Sequence, residues 1–479
     1  MQKRRAIVWF RQDLRVHDNE ALSDAQKQAQ EVIPIYVFDE RLFRGKTRWY
    51  GFRKTERYRA KFIIESVADL RQSLRQLGSD LIVRVGKPEE VIFELARQIK
   101  TNWVFCNRER TEEEIQVQDA LEKNLWSIGQ EMRYYRGKLL YYTADLPFPI
   151  NHTPDTFSQF RKEVERYVPV RDPLPVPDPF GPVTAAIHPG DIPTLEDLGY
   201  ADFEPDPRAA IDFTGGESAA LERLDYYFWQ SGAVNQYKES RDHLLGEDYS
   251  TKFSPWLAQG CLSPKMVYHE LERYEAERGA AGSTYEIFYQ LMLRDFYRFM
   301  AKKHENKIFL KGGVEGERHP EWRNDRKLLQ RWKEGRTGVP FIDANMREIK
   351  NTGYMSNRGR QLTAGFLVHD LGVNWQMGAE YFESLLIDYD VASNWCNWQE
   401  MAGVGPDSRD GRSINVLAQA QRLDPDGAFV KTWIPELADL PSDKIHDPHS
   451  MSFQEQEEHH IRIGDDYPKA VVGPEKWRR

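Results

Sequence analysis

The sequence predicts an α/β plus all-α protein: a doubly wound parallel-sheet domain at the N-terminus, a long linker, and a helical domain at the C-terminus. Three observations predict it. Short apolar runs alternate with amphipathic stretches over residues 1–130, prolines crowd the segment that follows, and helical periodicity dominates beyond residue 215.

Ala6-Ile-Val-Trp-Phe10, Val32-Ile-Pro-Ile-Tyr-Val-Phe38, Leu81-Ile-Val-Arg-Val85 and Trp103-Val-Phe-Cys106 read as buried strands. Helical stretches near 54–77 and 88–99 fall between them. Leu77-Gly78 stops the first, and Pro88 opens the second. Strand and helix in alternation imply βαβ units with helices on both faces of the sheet. No GxGxxG follows the first strand, so a dinucleotide fingerprint is absent there. Pro147, Pro149, Pro154, Pro169, Pro173, Pro175, Pro177, Pro179 and Pro182 mark a connector that wraps a surface. Helices are expected at 216–231, 265–279, 283–303, 324–334, 340–352, 358–371 and 376–387. The expected division is 1–130 α/β domain, 131–214 linker, 215–440 helical domain and 441–479 C-terminal segment.

Composition narrows the function. A net charge of −9 argues against a uniformly basic nucleic-acid coat, yet a local basic face remains compatible with it. Cys106, Cys261 and Cys396 form no close pair and no metal-ligand spacing, which argues against zinc and against a disulfide framework. The basic start Met1-Gln-Lys-Arg-Arg leads into no apolar run of signal length, and no segment reaches the roughly 18 apolar residues of a membrane span. A soluble, cytoplasmic protein, monomeric by default, is expected.

The chemistry concentrates in Asp388-Tyr-Asp-Val-Ala-Ser-Asn394-Trp-Cys-Asn-Trp398, with Asn357-Arg-Gly-Arg360 upstream and Trp375 between. Paired acids, an arginine and a bare amide suit a polar, redox-active heteroaromatic cofactor, and neighbouring tryptophans suit electron traffic to it. That combination points to a flavin rather than a metal or a hydrolytic triad. Glu247-Asp248-Tyr-Ser250-Thr251-Lys252-Phe-Ser254-Pro255 sets hydroxyls and a lysine before an apolar helix, a pattern that suits a phosphate. A capped helix with an early proline would look the same.

Several long motifs carry a resemblance. Phe10-Arg-Gln-Asp-Leu-Arg-Val-His-Asp-Asn-Glu-Ala-Leu22 resembles the opening motif of the photolyase/cryptochrome family. Ser240-Arg-Asp-His-Leu-Leu-Gly-Glu-Asp-Tyr-Ser-Thr-Lys-Phe-Ser-Pro-Trp-Leu-Ala258, Thr337-Gly-Val-Pro-Phe-Ile-Asp-Ala-Asn-Met-Arg347, Gly353-Tyr-Met-Ser-Asn-Arg-Gly-Arg-Gln361 and Ala402-Gly-Val-Gly405 resemble its cryptochrome DASH branch. The resemblance implies FAD held by Tyr237, Ser250, Thr251, Lys252, Ser254, Gln290, Arg294, Asn357, Arg360, Asp388 and Asp390, with Asn394 facing flavin N5. It implies electron hopping through Trp398, Trp375 and Trp322, and DNA contacts at Arg241, Gln290, Leu293, Arg358 and Glu400. It also implies a methenyltetrahydrofolate antenna touched by Glu109. Lys302-Lys303 adds positive charge, as a solvated helix face also would.

Three lesion-pocket positions depart from the family pattern. Gln290 stands where repair enzymes carry Glu, Leu293 where they carry Trp, and Glu400 where an aromatic is expected. Base–aromatic stacking contributes about 1–3 kcal/mol per base, and a carboxylate repels phosphates. The leading expectation is photolyase-like repair of cyclobutane pyrimidine dimers in single-stranded DNA, driven by blue light. The alternative is a blue-light photoreceptor without efficient repair, and a third reading is a DNA-binding module with a vestigial flavin.

Overall fold

Two strands with almost no exposed side chain form the centre of the sheet. They are β1 (Arg5–Phe10) and β2 (Glu31–Asp39), and β2 is buried at every residue. A parallel strand covered on both faces by helices needs apolar side chains in both directions, and these two supply them. With β3 (Ile82–Gly86), β4 (Trp103–Asn107) and β5 (Glu131–Tyr135) they form one all-parallel sheet of order β3-β2-β1-β4-β5. Helices α1 (Glu20–Gln28), α2 (Arg57–Gln76), α3 (Pro88–Ile99) and α4 (Glu112–Trp126) connect or flank the strands. A computed structural model of the chain describes residues 3–314, 316, 321–406 and 414–478. Met1 and Gln2 of the basic start, and Arg479, lie outside the described residues.

The four expected strands and two expected helices are present to within a few residues, and three further elements appear. β5 falls inside the segment expected to be connector. Its Glu-Met-Arg-Tyr-Tyr run is short and half polar, as suits an edge strand. α1 buries only Ala21, Leu22 and Ala25, too few for a periodic signal. α4 opens on three consecutive glutamates, and its apolar face is thin. Beyond β5 the chain is a connector with one helix, Phe157–Tyr167, and it is pinned to the α/β domain. Phe180 N–H donates to Leu77 O at 2.6 Å, Val83 N–H to Pro189 O at 2.7 Å, and the Tyr200 hydroxyl reaches Thr55 O at 2.7 Å.

The following half is helical. Its frame is α5 (Gly282–His304), α6 (Pro340–Thr352), α7 (Asn357–Gly365), α8 (Trp375–Leu385) and α9 (Val391–Ala402). Two expected helices end in π-turns, Tyr226–Gln230 and Phe366–Asp370. α9 was not among the expected helices, since it carries no clean apolar stripe, and its caps define it. Asp390 accepts Ser393 N–H at its start, and Gly403 closes it with a φ of 73°.

The halves meet along a polar seam built from the Phe10–Leu22 motif. Arg15, 1% exposed, donates to Gly260 O at 2.8 Å and to Gly137 O at 2.6 Å. Asp18 pairs with Lys265 at 2.7 Å. Glu217 accepts the N–H groups of Val16 (2.8 Å) and His17 (3.0 Å) and contacts His17 Nδ1 at 2.7 Å. Gly260 sits so close that a Cβ there would lie 2.1 Å from Gln12 O.

The hydrogen bond to Glu217 raises the His17 pKa, with burial opposing it. A group raised in the folded state stabilises fully below its unfolded value, about 6.5, and loses that contribution as pH rises through the folded value. Urea denaturation across this window should show stability falling as pH rises. His17→Gln should flatten that slope.

Candidate functional site

The richest collection of buried polar groups lies in the helical half, where the 247–254 loop meets α6, α7 and the Asp388 turn. Arg223 gathers the loop carbonyls, donating to Glu247 O at 2.8 Å and Thr251 O at 3.1 Å. Lys252 adopts a left-handed φ of 60°. Its ammonium lies 2.9 Å from the centre of the Tyr249 ring and finds no hydrogen-bond partner. Burial pushes the Lys252 pKa well below the ordinary lysine value, with Glu348 opposing. Burial likewise raises Glu348 to about 8. Ser254 opens a short helix with Pro255 in its first turn, and Tyr237 is buried nearby, its phenol raised to about 12 by desolvation.

Arg360 spans α7 and the Asp388 turn. It donates to Asp388 Oδ2 at 2.8 Å and to Met355 O at 2.9 Å. The Asp388 side chain is 3% exposed, and its other oxygen has no partner. Asn357 is exposed at the first position of α7, just past the Ser356 cap. Asn394 donates from Nδ2 to Ala379 O at 3.1 Å and shares a face of α9 with Trp398, four residues on. Buried polar groups without partners are rare and call for a missing one. The unpartnered Lys252 ammonium, Tyr249 hydroxyl, Glu348 Oε2 and Asp388 Oδ1 are therefore what an anionic, hydrogen-bonding ligand such as a flavin dinucleotide would satisfy.

Other sequence-derived positions fall elsewhere. Asp390 caps α9 and forms a close ion pair with Arg298. Burial works to raise its pKa, but the charges of Arg298 and Arg294 hold it near 2. Arg294 donates to Lys138 O (2.9 Å) and Leu257 O (3.2 Å), tying linker to helix, and burial lowers it to about 10. Arg241 pairs closely with Glu286, which also takes Gln290 Nε2 at 2.9 Å, and Leu293 packs against the core one turn on. Arg358 holds Asp242 at 2.8 Å. Glu400 accepts the Tyr297 hydroxyl at 3.0 Å. Glu109 is bound to Lys138 at 2.5 Å and lines a cleft between the halves with Arg108, Arg110, Arg136 and Lys302. Lys303 reaches Asp155 at 2.5 Å.

Trp398 is buried against α8, where a Cβ on Gly378 would meet its ring at 2.2 Å. Trp375, the first residue of α8, is buried, and Trp322 is 9% exposed. Sequence reading missed Tyr249, Glu348, Glu286, Arg298 and Trp395. Tyr249 lay inside a quoted motif. Trp395 lay inside another quoted run and Glu286 one helical turn before Gln290, whereas Glu348 and Arg298 are brought in by long-range packing that no local spacing signals. Among the described residues no group of His, Cys, Asp and Glu is arranged to hold a metal, and no helix is long and apolar enough to cross a membrane.

Comparison with known proteins agrees with this layout. The family described as DNA photolyase matches residues 6–179, and that described as FAD binding domain of DNA photolyase matches residues 287–479. A cryptochrome DASH of Gloeobacter violaceus is 48% identical, covering 98% of this chain and 94% of its own. A Synechocystis cryptochrome structure superposes with a TM-score of 0.96 at 42% identity, over 100% of this chain and 99% of that one. The photolyase of Sulfolobus tokodaii, solved with two FAD molecules, gives 0.78 at 27% identity, over 99% and 97%.

Removing the Arg360 charge strands Asp388 in a buried site. Arg360→Met should cost about 3 kcal/mol in urea denaturation, the lower end for a broken buried pair, since the guanidinium is 26% exposed. Reverting Asp388 as well, to Asn, should recover part of it.

Proposed function

Since the chain belongs to the cryptochrome DASH branch of the photolyase/cryptochrome family and takes FAD as its cofactor, we propose that it repairs cyclobutane pyrimidine dimers in single-stranded DNA under blue light. When bound, the flavin supplies one-electron chemistry. One observation supports the reading above the others: Asn394 and Trp398 occupy one face of α9, so an amide suited to the flavin ring and a first electron donor are delivered together. Lys252, Ser250, Thr251 and Ser254 would hold the diphosphate, and Arg360 with Asp388 the flavin head. Trp398, Trp375 and Trp322 would return electrons to the cofactor from solvent.

At the DNA face, Gln290 is held by Glu286 through its nitrogen and offers its carbonyl oxygen to a base edge. Arg241 and Arg358 would approach phosphates, each beside a carboxylate that moderates its charge. Single strands suit this site because an unpaired base costs little to flip out. The polar Tyr297–Glu400 contact, standing where a stacking platform is expected, favours a second reading: a blue-light photoreceptor that binds DNA without efficient repair.

The cleft beside Glu109 would take the antenna. Its ligand class is an aromatic heterocycle with an anionic tail, such as methenyltetrahydrofolate. Burial and the charges of Arg110, Arg136 and Arg108 push Lys302 down to about 8, so an anion there would be welcomed. Three buried free cysteines fit the reducing cytoplasm.

Illumination of dimer-containing oligonucleotides should remove dimers faster from single than from double strands. No loss of dimers despite lesion binding and reduced flavin would favour the photoreceptor. Glu400→Tyr should tighten lesion binding by about tenfold, as one restored stacking contact implies. Lys252→Met should weaken FAD binding by roughly tenfold or more, as expected for losing a charge-assisted hydrogen bond, without lowering the melting temperature of the flavin-free protein. A fall in that temperature would mark Lys252 as structural.

A further inference from the structure

Trp395 is unused by the reading above, yet it joins more tryptophan rings than any residue of the expected chain. It lies three residues before Trp398 on α9, so the two are neighbours on the helix surface. Its ring stands 5.6 Å from that of Trp375, edge to face, and 5.6 Å from that of Trp49, again edge to face. Those separations are ordinary aromatic contact. Trp375 and Trp395 are buried, whereas Trp49 is 42% exposed. The rings of Trp375, Trp395 and Trp49 therefore form a continuous path from the second member of the expected chain to solvent on the α/β half. Trp322 is outside this set of touching rings.

The contact across the halves is built. Buried Glu380 of α8 accepts the N–H groups of Trp49 (2.9 Å) and Tyr50 (2.8 Å) and the Thr47 hydroxyl (2.6 Å), fixing the loop that carries Trp49. Phe309 fills the remaining side, 5.0 Å from Trp395 and 6.5 Å from Trp49. Arg48 lies over the Trp49 ring at 5.4 Å, a cation that would oppose a positive hole there, but Glu112 pairs with it at 2.8 Å.

We propose that Trp395 and Trp49 form a second electron entry route, branching at Trp375 from the one ending at Trp322. The inference rests on Trp398 being the first donor. With FAD bound and illuminated, Trp398 would supply the first electron, Trp375 would refill Trp398, Trp395 would refill Trp375 and Trp49 would refill Trp395, one electron at each step. The Trp49 radical cation releases its indole proton to water. A thiol reductant in solution then returns a hydrogen atom, and two thiyl radicals combine as a disulfide.

The test illuminates FAD-loaded protein with dithiothreitol and, separately, with a nitroso spin trap followed by peptide mapping. Five proteins are compared: unmodified, Trp322→Phe, Trp49→Phe, the double variant of these two, and Trp395→Phe. Trp49 should carry trap adducts in the unmodified protein and more of them in Trp322→Phe. Trp322→Phe should keep most of its flavin photoreduction rate, and adding Trp49→Phe should lower it roughly tenfold, about 1.4 kcal/mol in barrier terms. Trp395→Phe should abolish the Trp49 adducts while leaving those on Trp322. Adducts on Trp322 alone, with the double variant matching Trp322→Phe, would overturn the second route and leave Trp398 as donor. Adducts on neither residue, with photoreduction unaffected in every variant, would overturn the Trp398 reading as well.

Discussion

The structure depends on charged groups that are buried only because each has collected several donors or acceptors. A bare charge in the interior costs more than any packing contact returns, so these groups fix the geometry around them. Along the seam, Arg15 needs the carbonyls of Gly137 and Gly260, and Glu217 needs the backbone of Val16 and His17. The α/β half can therefore sit in one place on the helical half. Glu380, on α8, imposes the same condition on the loop that carries Trp49, and so sets the distance between Trp49 and α9.

The cofactor site obeys the opposite logic. Lys252, Glu348 and Asp388 are buried with valences unfilled, and the pKa values of Lys252 and Glu348 have moved toward their neutral forms. Such groups weaken the fold in isolation. They are tolerable because Arg360 carries one carboxylate and the Tyr249 ring carries the ammonium. Binding of an anionic dinucleotide would convert this deficit into affinity.

Much of this was legible in the sequence, in proportion to how local each signal is. The continuous apolar runs of β1 and β2 announced a buried parallel sheet, and Pro88 placed the start of α3 at the residue observed. β5 was hidden by its half-polar composition and α1 by its short apolar face. At the site, the run from Asp388 to Trp398 and the Lys252 loop were visible as residue types at fixed spacing. Their partners were not: Arg298 lies 92 residues from Asp390, and Glu380 lies 331 residues from Trp49. Asp390, expected at the flavin edge, also caps α9 and pairs with Arg298, two roles that local spacing did not signal. The amino acids named the chemistry, and only packing named the pairs.

Helix α9 shows how one element can present separate sets of residues to separate neighbours. Its period separates its residues into faces. Asn394 and Trp398 share the face toward α8, since Asn394 reaches Ala379 O and Trp398 rests on Gly378. Trp395 points to Trp49 and Trp375. Asn397 and Glu400, three residues apart, both meet the Tyr297 hydroxyl of α5. Under the proposed reading, electron intake and substrate contact would therefore lie on different faces of the same helix. An aromatic exchanged for Glu400 changes what is recognised against α5 while the indoles stay in their contacts. That separation would let photochemistry persist under either reading of the substrate, because the face that carries Glu400 is not the face that carries the indoles.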